Sequence, residues 1–371
     1  MHRLLSCLLL CLLPLLVDAV ETPRPKIGLV LSGGAARGLA HIGVLKALEE
    51  QGIHIDAIAG TSMGAVIGGL YASGYKIDEL EKLALGIDWQ QALSDAPPRE
   101  DVPFRRKQDD RDFLVKQKLS IRDDGSLGLP LGVIQGQNLA LLLESMFAHS
   151  SNTRNFDKLP IPFRAVATDI TTGEKVVFSK GHLPQVIRAS MSIPAVFAPV
   201  ELDGRLLVDG GMTDNIPLDV AREMGVDIAI VVDIGTPLRS RKQLATVVDV
   251  LNQSITLMTR RNSEEQLRAL NPKDVLIQPP LAAYGVTDFG RAKDIIDAGY
   301  RATRALDVRL AHLRPAEPID PELVAARTPG ERTPIITAIS VENDSKVSDD
   351  VIRYYIRQTL GEPLKDRKSV V

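Results

Sequence analysis

Gly60-Thr61-Ser62-Met63-Gly64 follows the apolar run Ile53 to Ala59 and precedes a small-residue stretch, Ala65 to Ser73, that can begin a helix. Read outward, the pattern is strand, sharp turn, helix. A serine at such a turn has its hydroxyl pushed clear of the backbone, and glycines two before and two after let strand and helix close without side-chain collisions. The helix start favours negative charge developing beside it. Gly60, Ser62 and Gly64 therefore form a candidate nucleophile elbow, although G-x-S-x-G also arises in ordinary turns. The surrounding chain has to decide between the two.

Upstream, Ile27-Gly28-Leu29-Val30-Leu31 reads as a compact buried strand, and Leu39, Ile42, Leu45 and Leu48 recur at helical spacing up to Gly52. Strand, crossover helix, strand implies a parallel sheet. Downstream, Phe163 to Thr168 and Lys175 to Phe178 read as paired strands around a turn at Thr172-Gly173, and Arg205 to Val208 and Ile228 to Val232 as later strands. Ile228 to Val232 is apolar enough to be central in the sheet. The stretch from Trp89 to Gly136 carries Pro97-Pro98, Arg105-Arg106-Lys107 and Asp123-Asp124-Gly125, and reads as a polar excursion over the site, a solvated loop by default, with a lid or a membrane-approach surface as the alternatives.

A serine nucleophile needs a base and donors for the oxyanion. Ser32-Gly33-Gly34-Ala35-Ala36-Arg37-Gly38 follows the first strand and opens the first helix, so its backbone N–H groups can converge on an anion, with Arg37 adding positive charge. A nucleotide-phosphate loop is the rival, but Ala35 replaces the middle glycine of that spacing and the phosphate-loop lysine is missing. For the base, only His149, His182 and His312 lie downstream of Ser62. His312 suits the chain order of a triad hydrolase but sits in a charged helical stretch, which marks it as a surface residue. His41 reads as a packing or supporting group. Asp209 directly follows a strand and precedes Gly210-Gly211, where a partly desolvated carboxylate can act as general base; a plain turn aspartate is the alternative.

The composition, 44% hydrophobic and 25% charged over 371 residues, is that of a globular chain, and a formal net charge of −3 with 4% aromatic residues gives no reason to expect nucleic-acid binding. Residues 1–19 read as a secretory signal peptide: a weakly basic Met1-His2-Arg3, a leucine-dominated run from Leu4 to Val17 shorter than the roughly 20 residues of a membrane span, and Val17-Asp18-Ala19 as a cleavage site. Cys7 and Cys11 both lie inside it, so the mature chain would hold neither a disulfide nor a cysteine-based metal site. After Leu313 the chain becomes proline-spaced, a linker over residues 314–332. Ile335 to Val341 then reads as a strand and Ser348 as the cap of a helix through Leu360. One strand and one helix cannot bury a core, so residues 333–365 are expected to begin a domain whose remainder is absent. Asp366 to Val371 resembles a sequencing adapter translated through the end of a DNA fragment.

The glycine-rich stretch Gly33 to Gly38, the elbow Gly60 to Gly64 and Asp209-Gly210-Gly211, in this order, resemble the patatin-like phospholipases. Ala40-His41-Ile42-Gly43-Val44-Leu45, Arg188 to Pro194 and Asn215-Ile216-Pro217 are similar to that family too, so the likeness runs from about residue 26 to residue 313. It implies a three-layer α/β/α fold with a mainly parallel sheet and a Ser-Asp dyad without histidine. In that dyad Ser62 is the nucleophile, Asp209 the base, and the amides near Gly33, Gly34, Ala35, Arg37, Gly38 and Met63 hold the oxyanion. No metal or cofactor is implied. Ala35 departs from the family's usual glycine but keeps its N–H. Leader, lipase and trailing piece together resemble the bacterial patatin-type autotransporters related to PlpD, which implies a POTRA domain and β-barrel downstream. It also implies passage through the periplasm to the outer membrane or the outside, a phospholipid substrate at a membrane surface, and homodimers.

Overall fold

The computed structural model describes residues 24–95, 120–121, 127–128, 132–315 and isolated positions at 335, 337–341, 348 and 360–362. The leader with Cys7 and Cys11, the heart of the Trp89–Gly136 excursion, nearly all of the linker, most of residues 333–365, and Asp366 to Val371 lie outside the described residues; residues 337–341 of the expected strand Ile335 to Val341 are described and form none.

The main sheet has eight strands: β1 (Ile27–Leu31), β2 (Ala57–Thr61), β3 (Phe163–Asp169), β4 (Lys175–Phe178), β5 (Val200–Leu202), β6 (Arg205–Asp209), β7 (Ile228–Val232) and β8 (Val275–Ile277). Their order is β8-β7-β1-β2-β3-β6-β5, with β4 also paired to β3. The run from β8 to β3 is parallel; β4, β5 and β6 add antiparallel pairings at one end. Parallel strands need crossovers, which the helices supply.

Strand alternation sorts the side chains into two cores. Ile27, Leu29 and Leu31 of β1, with Ile228, Ile230 and Val232 of β7, face one layer. That layer is built from α1 (Ala40–Glu50), α2 (Met63–Ala72), α3 (Ile77–Gly86), α4 (Gln137–Met146), α5 (Leu183–Ser190) and α8 (Ala292–Arg304). Val30, Ala229 and Val231 face the other, where α6 (Leu218–Glu223) and the end of α7 (Val247–Arg268) pack. Burial on both faces is why β1 and β7 read as continuous apolar runs.

One register relation positions the site. β4 pairs with Ala165 to Thr168 of β3, so β2, opposite Phe163 to Val166, and β6, opposite Ala167 to Asp169, must share β3's other edge. β2 runs parallel to β3 and β6 antiparallel, so their C-terminal ends abut there. Thr61 pairs with Val166 and Asp209 with Ala167.

Candidate active site

The elbow is a turn with no room in it. Ser62 has φ 53°, in the left-handed region that costs a non-glycine residue about 1–2 kcal/mol. Beside it, a Cβ on Gly60 would stand 2.6 Å from the carbonyl oxygen of Gly64, and one on Gly64 would collide with the Leu31 carbonyl. The glycines thus let α2 start directly against the ends of β1 and β2. Ser62's own amide donates to Ser190 Oγ at 2.9 Å, and Ser190 Oγ in turn donates to Val166 O at 2.5 Å. α5 therefore buttresses the strained turn from below.

Asp209 ends β6 against that turn. Its Oδ2 accepts the hydroxyl of Ser62 at 2.6 Å, and its Oδ1 accepts the amide of Gly211 at 2.8 Å. Gly210 passes so close to the carbonyl of Val166 that a Cβ there would overlap it, which keeps the carboxylate at the strand junction. Burial pushes the Asp209 carboxyl up to about 6, against the pull of the two donated hydrogen bonds. Such a group is ionised at neutral pH yet basic enough to take a proton.

The glycine-rich loop leaves β1 and turns into a short 3₁₀ helix, Ala35–Leu39, ahead of α1. Ala35 has φ 49°, again left-handed. Gly34 leads into that helix, while Ala35 and Met63 each open one, so their amides lack intrahelical acceptors. None of the three bonds elsewhere among the described residues. Gly33 is different, and here the sequence expectation is corrected: its N–H lies 3.2 Å from Asn215 Oδ1 and 3.4 Å from Asn215 O, so it is already spent on the loop after Asp209. The amide of Arg37 likewise donates to Gly34 O, and Gly38 sits within the 3₁₀ helix against Met63. Arg37 contributes through its side chain, a buried guanidinium lining the cleft with Nε and Nη1 unpartnered. Burial lowers its pKa, and Asp233 partly offsets this.

No histidine among the described residues bonds Ser62 or Asp209. His41 is fully buried, with Nε2 2.8 Å from Ser32 O, and burial lowers its pKa to about 4, so it is a neutral brace for the glycine-rich loop. His149 bonds Ser73 O, His182 pairs with Glu144, and His312 is exposed.

Ser62 and Asp209 open into a cleft of about 1450 Å³ whose walls include Leu93, Ile134, Met191, Ile193, Val196 and Phe197. A mostly apolar cleft ending in a buried serine and carboxylate suits a long-chain ester. A family model described as patatin-like phospholipase matches residues 29–222, which hold the glycine-rich loop, the elbow and Asp209. The chain belongs to the patatin-like phospholipase family.

Among curated members, the chain is 35% identical over 210 residues to an uncharacterised NTE family protein of Mycobacterium tuberculosis, covering 57% of this chain and 49% of that one. It is 32% identical over 303 residues to patatin-like phospholipase domain-containing protein 7 of Rattus norvegicus, covering 74% of this chain and 20% of that one. Against lysophospholipase NTE1 of Kluyveromyces lactis it is 32% identical over 302 residues, covering 74% and 18%. The chain thus spans half or less of these relatives' length. The crystal structure of VipD from Legionella pneumophila overlays with a TM-score of 0.42 at 19% identity, covering 76% of this chain and 67% of that one.

Three supports of this patatin-like site are not marked by sequence spacing. Asn215 ties the loop after Asp209 to Gly33, while its own amide donates to Asn262 Oδ1 at 3.1 Å. Asn262 Nδ2 donates to Gly211 O at 2.9 Å, so α7 holds the same loop. Asp214 is buried, accepts Thr61 Oγ1 on its backbone carbonyl at 2.8 Å, and faces Lys175 Nζ at 3.0 Å. That lysine is shared with Asp219 at 2.5 Å. Burial and the like charge of Asp219 push Asp214 up to about 7 despite Lys175, while Lys175 holds the more exposed Asp219 down. A signal existed only for Ser190 and Asn215, which fall in the family-like stretches Arg188 to Pro194 and Asn215 to Pro217.

Proposed function

We propose that the protein is a serine lipid acyl hydrolase that cleaves acyl esters of phospholipids through a Ser62–Asp209 dyad. The observation that carries this reading is the 2.6 Å hydrogen bond from Ser62 Oγ to Asp209 Oδ2 at the end of an apolar cleft. In the proposed course Asp209 takes the hydroxyl proton as Ser62 Oγ attacks the ester carbonyl. The resulting oxyanion lies against the amides of Gly34, Ala35 and Met63, with the start of α2 adding its dipole. Collapse expels the lysolipid alcohol, which takes the proton from Asp209, and leaves an acyl-enzyme. Water, deprotonated by the same carboxylate, attacks the acyl carbon; Ser62 Oγ leaves and takes that proton back from Asp209, which frees the fatty acid and restores the dyad.

The reading is supported by the family and by relatives whose names record phospholipase and lysophospholipase activity. Export by residues 1–19, a patatin-type autotransporter arrangement with a POTRA-like piece at residues 333–365, and a homodimer belong to the same proposal on the strength of the sequence likeness.

The test is release of fatty acid from phospholipid in mixed micelles. The parent chain is expected to release it, Ser62→Ala and Asp209→Asn to lose it, and His312→Ala to keep it. Activity that survives Asp209→Asn but not His312→Ala would favour a histidine-triad esterase. No turnover of any acyl ester by the folded parent chain would favour a non-catalytic lipid-binding module.

A further inference from the structure

Four exposed apolar side chains crowd onto about two and a half turns of α7. Val250, Leu251, Leu257 and Met258 are each about half exposed, at 54, 48, 50 and 49%. Their spacing of one, seven and eight residues puts them on one side of the helix. The opposite side of the same turns faces inward: Asn252, Ile255, Thr256 and Thr259 line the cleft that ends at Ser62 and Asp209. This part of α7 is therefore a wall of the cleft whose outer surface carries two apolar pairs on either side of exposed Ser254. Leu238, 39% exposed, lines the cleft as well.

The charges around this strip have one sign to spare. Two of its acids are already taken, Asp249 by Arg239 and Glu264 by Arg260. Arg241 and Lys242, in the exposed turn just before the helix, have no acidic partner among the described residues, and neither does exposed Arg261, which follows Leu257 by one turn on the same face. Glu265, one turn beyond Arg261 on the same face, is exposed and offsets it, which leaves Arg241 and Lys242 as the spare cations. Exposed apolar side chains with spare cations on a surface helix are the makings of an interfacial helix. A second copy of this chain would instead set like charges against one another across a two-fold contact.

We propose that the outer face of α7 around Val250, Leu251, Leu257 and Met258 docks the protein on an anionic phospholipid bilayer. A lipid drawn from the surface would then pass round the helix into the cleft. The inference rests on the phospholipase reading for its purpose, but its test is separate. The full chain carrying Ser62→Ala, so that vesicles stay intact, is sedimented with vesicles of phosphatidylcholine and phosphatidylglycerol. Hydrolysis of a water-soluble short-chain ester is followed in the Ser62 form.

Binding is expected to fall about tenfold in Leu251→Glu/Met258→Glu while hydrolysis of the soluble ester stays within about twofold of the parent. Arg241→Glu/Lys242→Glu, which disturbs no packed side chain, is expected to weaken binding to anionic vesicles and to flatten its salt dependence. Unchanged vesicle binding in both variants would overturn the proposal. So would a dimer of the parent chain that Leu251→Glu/Met258→Glu dissociates, since the face would then belong to a second copy. A parent chain that binds vesicles through this face but hydrolyses no ester would instead overturn the hydrolase reading alone.

Discussion

Ser62 and Asp209 sit at the ends of two strands that meet tip to tip along one edge of β3, and the hydroxyl of Ser62 donates to Asp209 Oδ2 across 2.6 Å. The carboxylate proposed as base is thus placed by the register of the sheet, 147 residues along the chain from the serine proposed as nucleophile. Because burial holds the Asp209 carboxyl at about 6, kcat/KM for a soluble ester is expected to fall about tenfold per unit of pH below that value and to level off above it. Asp209→Asn should lower the plateau by about 10²–10⁴ and remove that limb. A pH–rate profile of both forms checks this, and a limb that persists in Asp209→Asn would assign it to another group.

The same burial has a consequence for stability. The Asp209 carboxyl is raised from 3.8 to about 6 in the folded state, so folding favours its protonated form. Its contribution is fullest below pH about 4 and is lost as the pH rises to about 6, a change of about 3 kcal/mol. Asp209→Asn carries no such term. Its stability relative to the parent is expected to climb by that order between pH 4 and pH 6.5, as read by urea unfolding. A pH-independent difference would show that the carboxyl is not desolvated.

Lys175 is expected to matter through Asp214 and not through the cleft. Lys175→Met leaves the buried Asp214 facing only Asp219, and should cost about 3 kcal/mol in urea unfolding at pH 8. Adding Asp214→Asn should recover a large part of that loss, because the uncompensated charge is then gone. Additive losses in the double variant would mean that the ion pair is a bystander.

Ala35 is held at φ 49°, and its amide is one of those proposed to meet the oxyanion. Ala35→Gly is expected to stabilise the chain by about 0.5–1 kcal/mol, relief of the left-handed alanine outweighing the freedom gained by the unfolded chain. The ester hydrolysis rate should stay near that of the parent, since the N–H is kept. A drop in the urea midpoint would mean that the loop is not strained there.

What was legible in the sequence had local causes. β1, β7 and the β3–β4 hairpin announce themselves by apolar runs and a turn glycine, and the elbow by glycines that steric closure demands at Gly60 and Gly64. β2 starts and ends later than its apolar run: Ile53 and Ile55 are buried without joining the sheet, which pairs Ala57 to Thr61, and its last residues, Gly60 and Thr61, belong to the turn motif as well as to the strand. α7 was hidden because its apolar side chains face outward, leaving few residues of a core-facing stripe. The occupied amide of Gly33 could not be foreseen, since its acceptor, Asn215, lies 182 residues away and no spacing rule links them.

Ser62 Oγ is the atom that the proposed mechanism acylates. Intact-mass spectrometry of the folded chain after treatment with a fluorophosphonate, followed by peptide mapping, reads that atom. One adduct per chain on Ser62, formed by the parent and His312→Ala, absent in Ser62→Ala and strongly slowed in Asp209→Asn, is the predicted result. A folded chain that forms no adduct, or forms it on another residue at a rate indifferent to Asp209, would contradict the dyad.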